Sequence, residues 1–558
     1  MDAKMLCWPL HGVGLDNLGC DRKPCEWDVP DPQADELLVR IDSIGLCFSD
    51  VKLIRAGTDH PRVISKDLAE DPVVPGHEAV MTVVKVGDDL KDTFEEGNRY
   101  IIQADIYVNG VNYAYGYAIN GGMAEYSILD QRVLDGDEGC YLLPLEDETP
   151  AAIAALIEPW TCVIASYMID LRAAPESGGS MLVAMTPGNT DVYTWNQPVE
   201  GGAPRTIHCL NVNDATVANL RERFPQARIE FLSAMPEDPG YDDIALCGVT
   251  DRATGEKVAK LGGQNAVISF VGPAADEKWQ FDVGSIHYRG WYYQGTMSRD
   301  IGEAYGRNVR SRTRPGGTCW LLGGAGAMGQ MHTQLAVEHE DGPSRILVTD
   351  LDDDRIHKMR QQLDSSIRAR DIEFKTLNPK SFSSNEAFLE AVHEFAPGGF
   401  DDIIMLVPVV PVLNQAVSAL APDGVMNIFA GIPAGKEAEL DVQPIAHRGV
   451  RYIGSSGSRT YHLRHTLDMV ESGDLNPATA LAAIGGMKSL WKGLEGVAEA
   501  RYPGKTVIFP HCPDMPLTAT GELARNLPEA DGTLSEDGLY TRETEKALFK
   551  AYSKHDWS

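Results

Sequence analysis

The stretch TCWLLGGAGAMG, residues 318–329, decides the fold class of this chain. A short apolar run leads into the pattern G-x-G-x-x-G at Gly324, Gly326 and Gly329, which encloses Met328 and opens the helical pattern MGQMHTQLAVE. A strand, a tight glycine turn and a helix N-terminus bring the backbone close to a pyrophosphate, whose charge the unpaired N–H groups stabilise. The stretch therefore predicts a dinucleotide-binding Rossmann unit, with these four residues in contact with the cofactor.

An acidic residue stands where this cofactor would place its ribose. The next predicted strand, ILVTD, ends at Asp350, 21 residues after Gly329. A carboxylate at that position accepts hydrogen bonds from the ribose hydroxyls of the adenosine. The acidic run DLDDD, residues 350–354, would repel a 2′-phosphate and favours NAD, whereas Arg355 beside it keeps NADP as the alternative.

An internal repeat explains why this glycine loop lies so late in the chain. YDDIALCGV at residues 241–249 matches FDDIIMLVP at residues 400–408, and the offset of 159 continues for more than fifty residues. Upstream, RTIHCLNVND at residues 205–214 matches SRILVTDLDD at residues 344–353 with an offset of 139. Two copies are too few for a solenoid, so we predict two tandem doubly wound parallel-sheet units.

The two predicted units are not equivalent. The earlier unit, residues 178–312, has MLVAMTPGNTDVYTW where the later unit, residues 315–475, has its glycine loop. Asn211 stands at the position of Asp350. The earlier unit is therefore either a second ligand site of changed specificity or a degenerate copy kept for packing and oligomer contacts. We favour the degenerate copy and expect one NAD site per chain.

The part of the chain before these units is β-rich. Residues 36–46 and 79–87 form short alternating runs, which Gly, Pro and Asp interrupt. We predict a separate lobe over residues 1–168, completed by about 480–558, which contain the strand-like GKTVIFP and a last helical pattern. The fold class is thus α/β plus β-rich.

Three motifs in this lobe contain residue types that can bind zinc. GLCFSD contains Cys47, PGHEAV contains His77 and Glu78, and IEPW contains Glu158. A thiolate, an imidazole and carboxylates can form a three-ligand zinc site with an open position for water or substrate. Taken singly, each residue also fits a purely structural role. Glu158, however, lies in the apolar stretch AAIAALIEPWTCVIASYM, where a carboxylate without a cation or proton is costly.

These motifs, the glycine loop and the closing GKTVIFP together resemble the zinc-containing medium-chain dehydrogenase/reductase superfamily, whose catalytic lobe is GroES-like. The nearest branch is the polyol dehydrogenases of the sorbitol dehydrogenase type. More narrowly, residues 103–122 are similar to sorbose-1-phosphate reductases. The resemblance covers about residues 1–168 and 315–510, and the extra α/β unit departs from it.

The resemblance implies specific roles. Cys47, His77 and Glu158 would hold one catalytic zinc ion per chain, with Glu78 as an exchangeable ligand or just outside the ligand set. Ser49 would relay the proton of the substrate hydroxyl. The implied activity is hydride transfer between NAD and a secondary alcohol or ketone of a polyol, sugar or sugar phosphate, in a homo-oligomer such as a dimer or tetramer.

Two departures from the family affect these expectations. The family's lobe often holds a structural zinc on four closely spaced cysteines, and because none lies between residues 97 and 139 we expect no such ion. The segment HPRVISKDLAEDP lengthens the lobe. Arg55, His60 and Arg62 near it could bind a substrate phosphate, although we favour solvated loop charges as the explanation.

Composition excludes several classes of partner. The formal net charge of −32 argues against nucleic acids and anionic membranes, which require clustered Lys and Arg. The longest apolar run, residues 403–413, is too short to span a bilayer. The first ten residues, MDAKMLCWPL, do not have the pattern of a targeting segment, and the ten cysteines are irregularly spaced, so we expect neither a leader nor a disulfide framework and predict a cytoplasmic protein. For CDRKPC, residues 20–25, we expect two unpaired thiols rather than a second metal site.

Two other functions remain open. A zinc- and NAD-dependent lyase or epimerase would oxidise a sugar transiently and produce no net NADH. A non-catalytic dinucleotide-binding protein could retain the fold alone, although the intact set of metal-binding residues counts against it.

Overall fold

The computed structural model describes residues 4–197, 202–237, 240–306 and 310–554 of the 558-residue chain. They belong to two compact units: one joins Met1–Ile164 to Gly457–Ser558, and the other is Ala165–Ser456. Residues 457–475, which the sequence assigned to the later Rossmann unit, group with the lobe instead. The finer boundaries of the two predicted Rossmann units stay a prediction.

The first segment of the lobe is mostly strand. Its strands are β1 (Lys4–Cys7), β2 (Cys25–Asp28), β3 (Leu37–Leu46), β4 (Glu78–Val86), β5 (Arg99–Ile102), β6 (Tyr107–Val108), β7 (Val111–Asn112), β8 (Tyr126–Leu129) and β9 (Leu142–Pro144). Its helices are α1 (Phe48–Ala56), α2 (Gln131–Leu134), α3 (Ala151–Ala154) and α4 (Ile157–Ala165).

The second compact unit alternates strands and helices. Its strands are β10 (Ser180–Met185), β11 (Thr206–Leu210), β12 (Arg228–Leu232), β13 (Tyr241–Cys247), β14 (Gly262–Val271), β15 (Lys278–Asp282), β16 (Tyr292–Thr296), β17 (Thr318–Leu322), β18 (Arg345–Thr349), β19 (Glu373–Leu377), β20 (Phe400–Met405), β21 (Leu420–Ile428), β22 (Glu437–Asp441) and β23 (Arg451–Ile453). Its helices are α5 (Asp214–Arg223), α6 (Arg252–Ala259), α7 (Val283–Tyr288), α8 (Ala327–Glu338), α9 (Asp353–Ala369), α10 (Asn385–Phe395), α11 (Val410–Ala416) and α12 (Gln443–His447).

The closing segment returns to the lobe. It contains α13 (Thr460–Glu471), β24 (Leu481–Gly486), α14 (Leu490–Ala498), β25 (Lys505–Phe509), β26 (Thr518–Ala519), α15 (Leu523–Asn526) and α16 (Arg542–Tyr552). β25 pairs antiparallel with β3, which places Thr506 opposite Leu46. Among the described residues, the lobe sheet has the order β26-β24-β25-β3-β4-β5-β9, and β8 also pairs with β3. The closing segment therefore contributes three strands to the lobe sheet.

One sheet organises the second unit. In the described residues its order is β12-β11-β10-β13-β14-β16-β23-β21-β20-β17-β18-β19, six strands from each copy of the repeat. Within each copy this is the doubly wound order 3-2-1-4-5-6. Strands such as β17 are buried apolar runs because helices cover both faces of a parallel sheet. The predicted fold class, a GroES-like lobe with Rossmann-type parallel sheet, is confirmed.

The offset between the copies is not uniform. Asn265 and Asp423 both adopt a left-handed backbone, with φ of 56° and 57°, and pack against Gly290 and Gly449. Asn265 and Asp423 are 158 residues apart, whereas the two glycines are 159 apart. The single register of 159 predicted from the sequence is therefore wrong by one residue in β14 and β21, because the later copy has one residue fewer before this strand and one more after it.

No helix in the described residues has both the length and the apolar character needed to cross a bilayer.

Candidate functional site

Cys47 lies between the end of β3 and the start of α1, where it caps the helix. Its sulfur accepts the N–H of Asp50, and the carboxylate of Asp50 accepts the N–H of Cys47 at 2.9 Å. This reciprocal arrangement is a capping box, which fixes both side chains on the first helical turn. The thiol is therefore held at a defined position at the end of β3, an interior strand of the lobe sheet.

His77 is buried beside Cys47. Its Nδ1 lies 3.1 Å from the second carboxylate oxygen of Asp50. Because Asp50 engages Nδ1, Nε2 is the ring nitrogen left to bind a ligand. Burial alone would lower the pKa of His77, but Tyr117, Asp50 and Cys47 together raise it well above its usual value. The side chains around His77 thus favour a positive charge at the imidazole position.

Glu78, the first residue of β4, is fully buried. A Cβ at Gly45 on the neighbouring strand would lie 2.1 Å from Oε2 of Glu78, so only glycine leaves room for this carboxylate. Its Oε1 accepts a hydrogen bond from the ammonium of Lys505, at the start of β25. In the part of the chain that the structure describes, Oε2 has no hydrogen-bond partner. One oxygen of a buried carboxylate is thereby left for a cation.

Cys47, His77 and Glu78 converge: one ligand atom from each lies within 4.8 Å of the other two. Sulfur, imidazole nitrogen and carboxylate oxygen are the ligands that Zn²⁺ takes in proteins. Oε1 of Glu78 lies 4.0 Å from Nε2 of His77, and a buried carboxylate beside an imidazole and a thiol fits a cation. These residues therefore fit a zinc ion.

Glu158, on α4, is not a member of this group of three. Burial raises the pKa of its carboxyl to about 7; His77 opposes this shift, and the charge of Glu78 adds to it. The thiol of Cys162, one helical turn away, donates to Oε1 of Glu158 at 3.8 Å. The structure thus couples Glu158 electrostatically to the group, and its role as a ligand stays a prediction.

Two residues of the pocket were not identified from the sequence. Asp50 had a readable signal, since Cys-x-x-Asp at the end of a strand is the pattern of a helix cap. Lys505 had none, because only the pairing of β25 with β3 brings it to Glu78. Burial opposes the charge of Lys505, but Cys47, Glu78 and Glu158 outweigh it and raise the lysine pKa. Ser49, on the first turn of α1, is half-buried, and its role as a proton relay stays a prediction.

The lengthened segment places two of its three predicted phosphate-binding residues beside Tyr117. The ring of His60 stacks on Tyr117 with centroids 5.1 Å apart, and the guanidinium of Arg62 lies 5.6 Å from the same ring. Tyr117 in turn lies 5.7 Å from His77. Arg62 also forms an ion pair with Asp105 at 2.8 Å. By contrast, Arg55 is exposed on α1.

The glycine loop of the later Rossmann unit joins β17 to α8. Gly326 precedes α8 and provides no side-chain cap, so the first N–H groups of the helix are left for an anion. A Cβ at Gly329 would lie 2.1 Å from the carbonyl oxygen of Gly323, so the turn closes only with glycine there. Met328 lies on the first turn of α8. The loop therefore fits a dinucleotide pyrophosphate.

Asp350 directly follows β18, at the carboxyl edge of the parallel sheet. Burial raises the pKa of its carboxyl, while Arg355 acts in the opposite direction. The guanidinium of Arg355 is 3.6 Å from the carboxylate of Asp352. A carboxylate already balances this arginine, which weakens the case for a 2′-phosphate site.

Cys20 and Cys25 form a disulfide, so the expectation of two unpaired thiols is wrong. Asp21 and Arg22 between them adopt left-handed φ values of 52° and 60°, and this tight turn brings the two Cα atoms to 5.3 Å, a distance that a disulfide spans. His11 has a ring nitrogen within 4.8 Å of both sulfurs. The sequence did not reveal that His11 lies beside the two cysteines, because His11 stands nine residues before Cys20. The other eight cysteines, all within the described residues, are free.

Comparisons with known proteins identify a matching domain family and relatives that align along most of the chain. Residues 33–135 match the family model of the alcohol dehydrogenase GroES-like domain. The chain is 24% identical to mannitol-1-phosphate 5-dehydrogenase of Aliivibrio fischeri, with 94% of each sequence covered. It is 23% identical to L-sorbose 1-phosphate reductase of Klebsiella pneumoniae, over 93% of this chain and 92% of that one.

A solved structure shares the fold. The 2R,3R-butanediol dehydrogenase from Bacillus subtilis superposes with a TM-score of 0.52 and 14% identity, over 91% of this chain and 99% of that one. At that identity the likeness concerns the fold alone. The resemblance inferred from the sequence motifs is confirmed.

Proposed function

Because residues 33–135 form an alcohol dehydrogenase GroES-like domain and the chain is homologous along its length to polyol and sugar-phosphate oxidoreductases, we propose that it is a zinc- and NAD-dependent dehydrogenase. It would interconvert a secondary hydroxyl and a ketone of a polyol or sugar, preferably a phosphorylated one. The observation that carries the proposal is the convergence of Cys47, His77 and the fully buried carboxylate of Glu78 on one point.

Zinc, when bound, would lower the pKa of the substrate hydroxyl, and NAD would accept the hydride. The chain's own residues prepare this chemistry. Asp50 holds His77 through Nδ1 and so directs Nε2 to the ligand position. Lys505 fixes one oxygen of Glu78 and leaves the other available. Ser49 would take the hydroxyl proton outward, and Glu158 would complete the ligand set.

NAD rather than NADP is supported by the charges at the end of β18. Asp350 would accept hydrogen bonds from the ribose hydroxyls, and a 2′-phosphate there would meet its carboxylate. Arg355 pairs with Asp352 and directly follows the acidic run 350–354, so a phosphate there would approach four carboxylates and one guanidinium. Gly324, Gly326, Met328 and Gly329 would surround the pyrophosphate (these four form the turn and the start of α8).

A phosphate on the substrate would be bound by Arg62. The guanidinium lies over Tyr117, and Tyr117 also borders His77, so Arg62 is close to the proposed metal site without belonging to it. Burial, together with the charge of Arg62, lowers the pKa of His60 to about 4, so His60 would act as a neutral hydrogen-bond donor. Two of the relatives that align along more than nine-tenths of this chain are named for a phosphorylated compound.

The first test joins metal analysis to enzyme kinetics. The purified protein should contain one zinc ion per chain and reduce NAD with a polyol phosphate or oxidise NADH with a keto-sugar phosphate. Cys47→Ala should lose the zinc and at least about a thousandfold of the activity, because the ion supplies several kcal/mol of charge stabilisation. Cys140→Ala removes another half-buried thiol of the lobe and should change neither.

Two outcomes would contradict the proposal. Full activity of Cys47→Ala would exclude a role for the metal site. Consumption of a sugar without any change in absorbance at the nicotinamide band would point to a lyase or epimerase that returns the hydride.

The phosphate preference has its own test. Arg62→Met should lower kcat/KM for a phosphorylated substrate by about 10- to 100-fold, the worth of hydrogen bonds to a charged group. The same variant should change kcat/KM for the unphosphorylated polyol little. Arg55→Met is the matched control, because Arg55 is exposed on α1. An equal loss with both substrates would show that Arg62 supports the lobe rather than the phosphate.

A further inference from the structure

The two copies of the α/β repeat meet along one line of their common sheet. Within each copy every pairing between neighbouring strands of this sheet is parallel, as in β14 with β16 and β21 with β23. Where the copies join, β16 and β23 pair antiparallel. The order of strands on one side of this junction is the mirror of the order on the other side. The copies are therefore related by a half-turn.

Residues near the axis of this half-turn oppose their own counterparts. Tyr293 pairs with Tyr452, which stands 159 residues later at the same place in the repeat, and their rings lie 6.5 Å apart. In the two-stranded sheet of β15 and β22, Gln280 pairs with its counterpart Glu439 and donates to its carboxylate at 3.2 Å.

Pairs away from the axis are exchanged in the way that two-fold symmetry requires. Lys278 faces Asp441, the counterpart of Asp282, and Asp282 faces Glu437, the counterpart of Lys278. Reciprocal contacts of this kind define the isologous interface of a homodimer. A contact between two unrelated surfaces of one chain would not be expected to show this exchange of counterpart residues.

The earlier copy has kept this interface and lost its dinucleotide cradle. In the described residues between β10 and β11 no helix forms, so there is no helix N-terminus to hold a pyrophosphate. The fully buried Tyr193 takes up the space instead: a Cβ at Gly248 would lie 2.2 Å from its hydroxyl oxygen. Asn211, the counterpart of Asp350, donates its amide to the carbonyl oxygen of Met185.

We infer that the earlier Rossmann copy is a built-in dimer partner. It covers β22 and β23 of the later, cofactor-binding copy, two strands whose free edges would otherwise be templates for pairing with a second chain. The later copies of two chains therefore do not pair with each other through these strands. The inference depends on the repeat and its pairing register, and not on the chemistry proposed above.

Thiol cross-linking of the full-length protein tests this arrangement. Gln280→Cys/Glu439→Cys places two thiols opposite one another at the axis, and a short bismaleimide should join them within one chain. The expected product has the mass of one chain plus one linker. Glu439→Cys alone should give no covalent dimer, because residue 439 faces residue 280 of its own chain. Light scattering and circular dichroism before the reaction establish that each variant is folded.

Matched variants complete the test. Lys278→Cys/Asp441→Cys should cross-link within one chain like the first pair. Lys278→Cys/Glu437→Cys should not, because residue 437 lies four residues, about 13 Å, along the strand from the partner of residue 278. A covalent dimer of Glu439→Cys would overturn the inference, since it requires two later copies to pair. A covalent dimer as the main product of the first pair, or no cross-link in either opposed pair, would overturn it as well.

Discussion

Replacing Lys505 with methionine should destabilise the lobe strongly. The side chains of Lys505 and Glu78 are 4% and 0% exposed, so water cannot take over the role of the lysine. Removing one partner of a buried ion pair leaves an uncompensated charge and costs about 3–5 kcal/mol. With a shift of roughly 2–4 °C per kcal/mol for units of this size, the melting temperature of the metal-free lobe should fall by roughly 6–20 °C.

Thermal and urea unfolding of metal-free protein would measure this loss, and two further variants interpret it. Lys505→Met/Glu78→Gln should recover most of the stability, because the buried charge is gone. Lys488→Met removes an exposed lysine paired with Asp514 in the same unit and should cost less than about 1 kcal/mol. If Lys505→Met melts within about 2 °C of the unmodified protein, the reasoning from burial is refuted.

Three further predictions concern other polar side chains. Burial raises the pKa of Glu545 to about 7 although two backbone N–H groups donate to it. The carboxyl group of Glu545 therefore stabilises the fold fully below about pH 4.5, and this stabilisation is lost as the pH rises through about 7. Over that range the melting temperature of the unmodified protein should fall relative to that of Glu545→Gln. A difference in melting temperature that does not change with pH would contradict this. Asp350→Asn should weaken NADH binding at least about tenfold in a fluorescence titration, whereas Asn211→Asp should leave one site per chain; two sites would show that the earlier cradle is open. Asp402→Asn and Asp243→Asn, at counterpart positions of the two copies, each remove a buried carboxylate from a half-buried arginine. Asp402→Asn should lower the free energy of unfolding by about 3 kcal/mol, and Asp243→Asn should lower it less, because Glu176 also pairs with Arg172 at 3.4 Å; an equal or larger loss for Asp243→Asn would contradict this.

The strands and the glycine loop were predictable because their signals are local. TCWLL and RILVT are short apolar runs with turn residues on either side, as strands buried on both faces must be. The antiparallel pairing of Tyr293 with Tyr452 was not predictable, although the repeat that relates them was. A repeat shows that two units share a design, but the way they meet depends on contacts between residues far apart in the chain.

In the candidate site, too, the sequence revealed local motifs but not contacts between residues far apart in the chain. Cys47, His77 and Glu78 were found because each stands in a short motif with metal-binding chemistry, and the fold brings the three together. Lys505 was missed because no pattern around it refers to Glu78, 427 residues earlier. The pairing of Cys20 with Cys25 was also missed, because it depends on two left-handed residues in a turn that the sequence does not mark with glycine.

The lysine that neutralises Glu78 has a consequence for how the protein is made. A ribosome adds about 5–20 residues per second, so Lys505 leaves the exit tunnel roughly 20–85 s after Glu78. Throughout that interval the nascent lobe has neither β25 nor a positive charge for its buried carboxylate. A chain released before β25 would therefore carry the carboxylate of Glu78 without the ammonium that neutralises it, and it should be digested faster by proteases than the full-length chain.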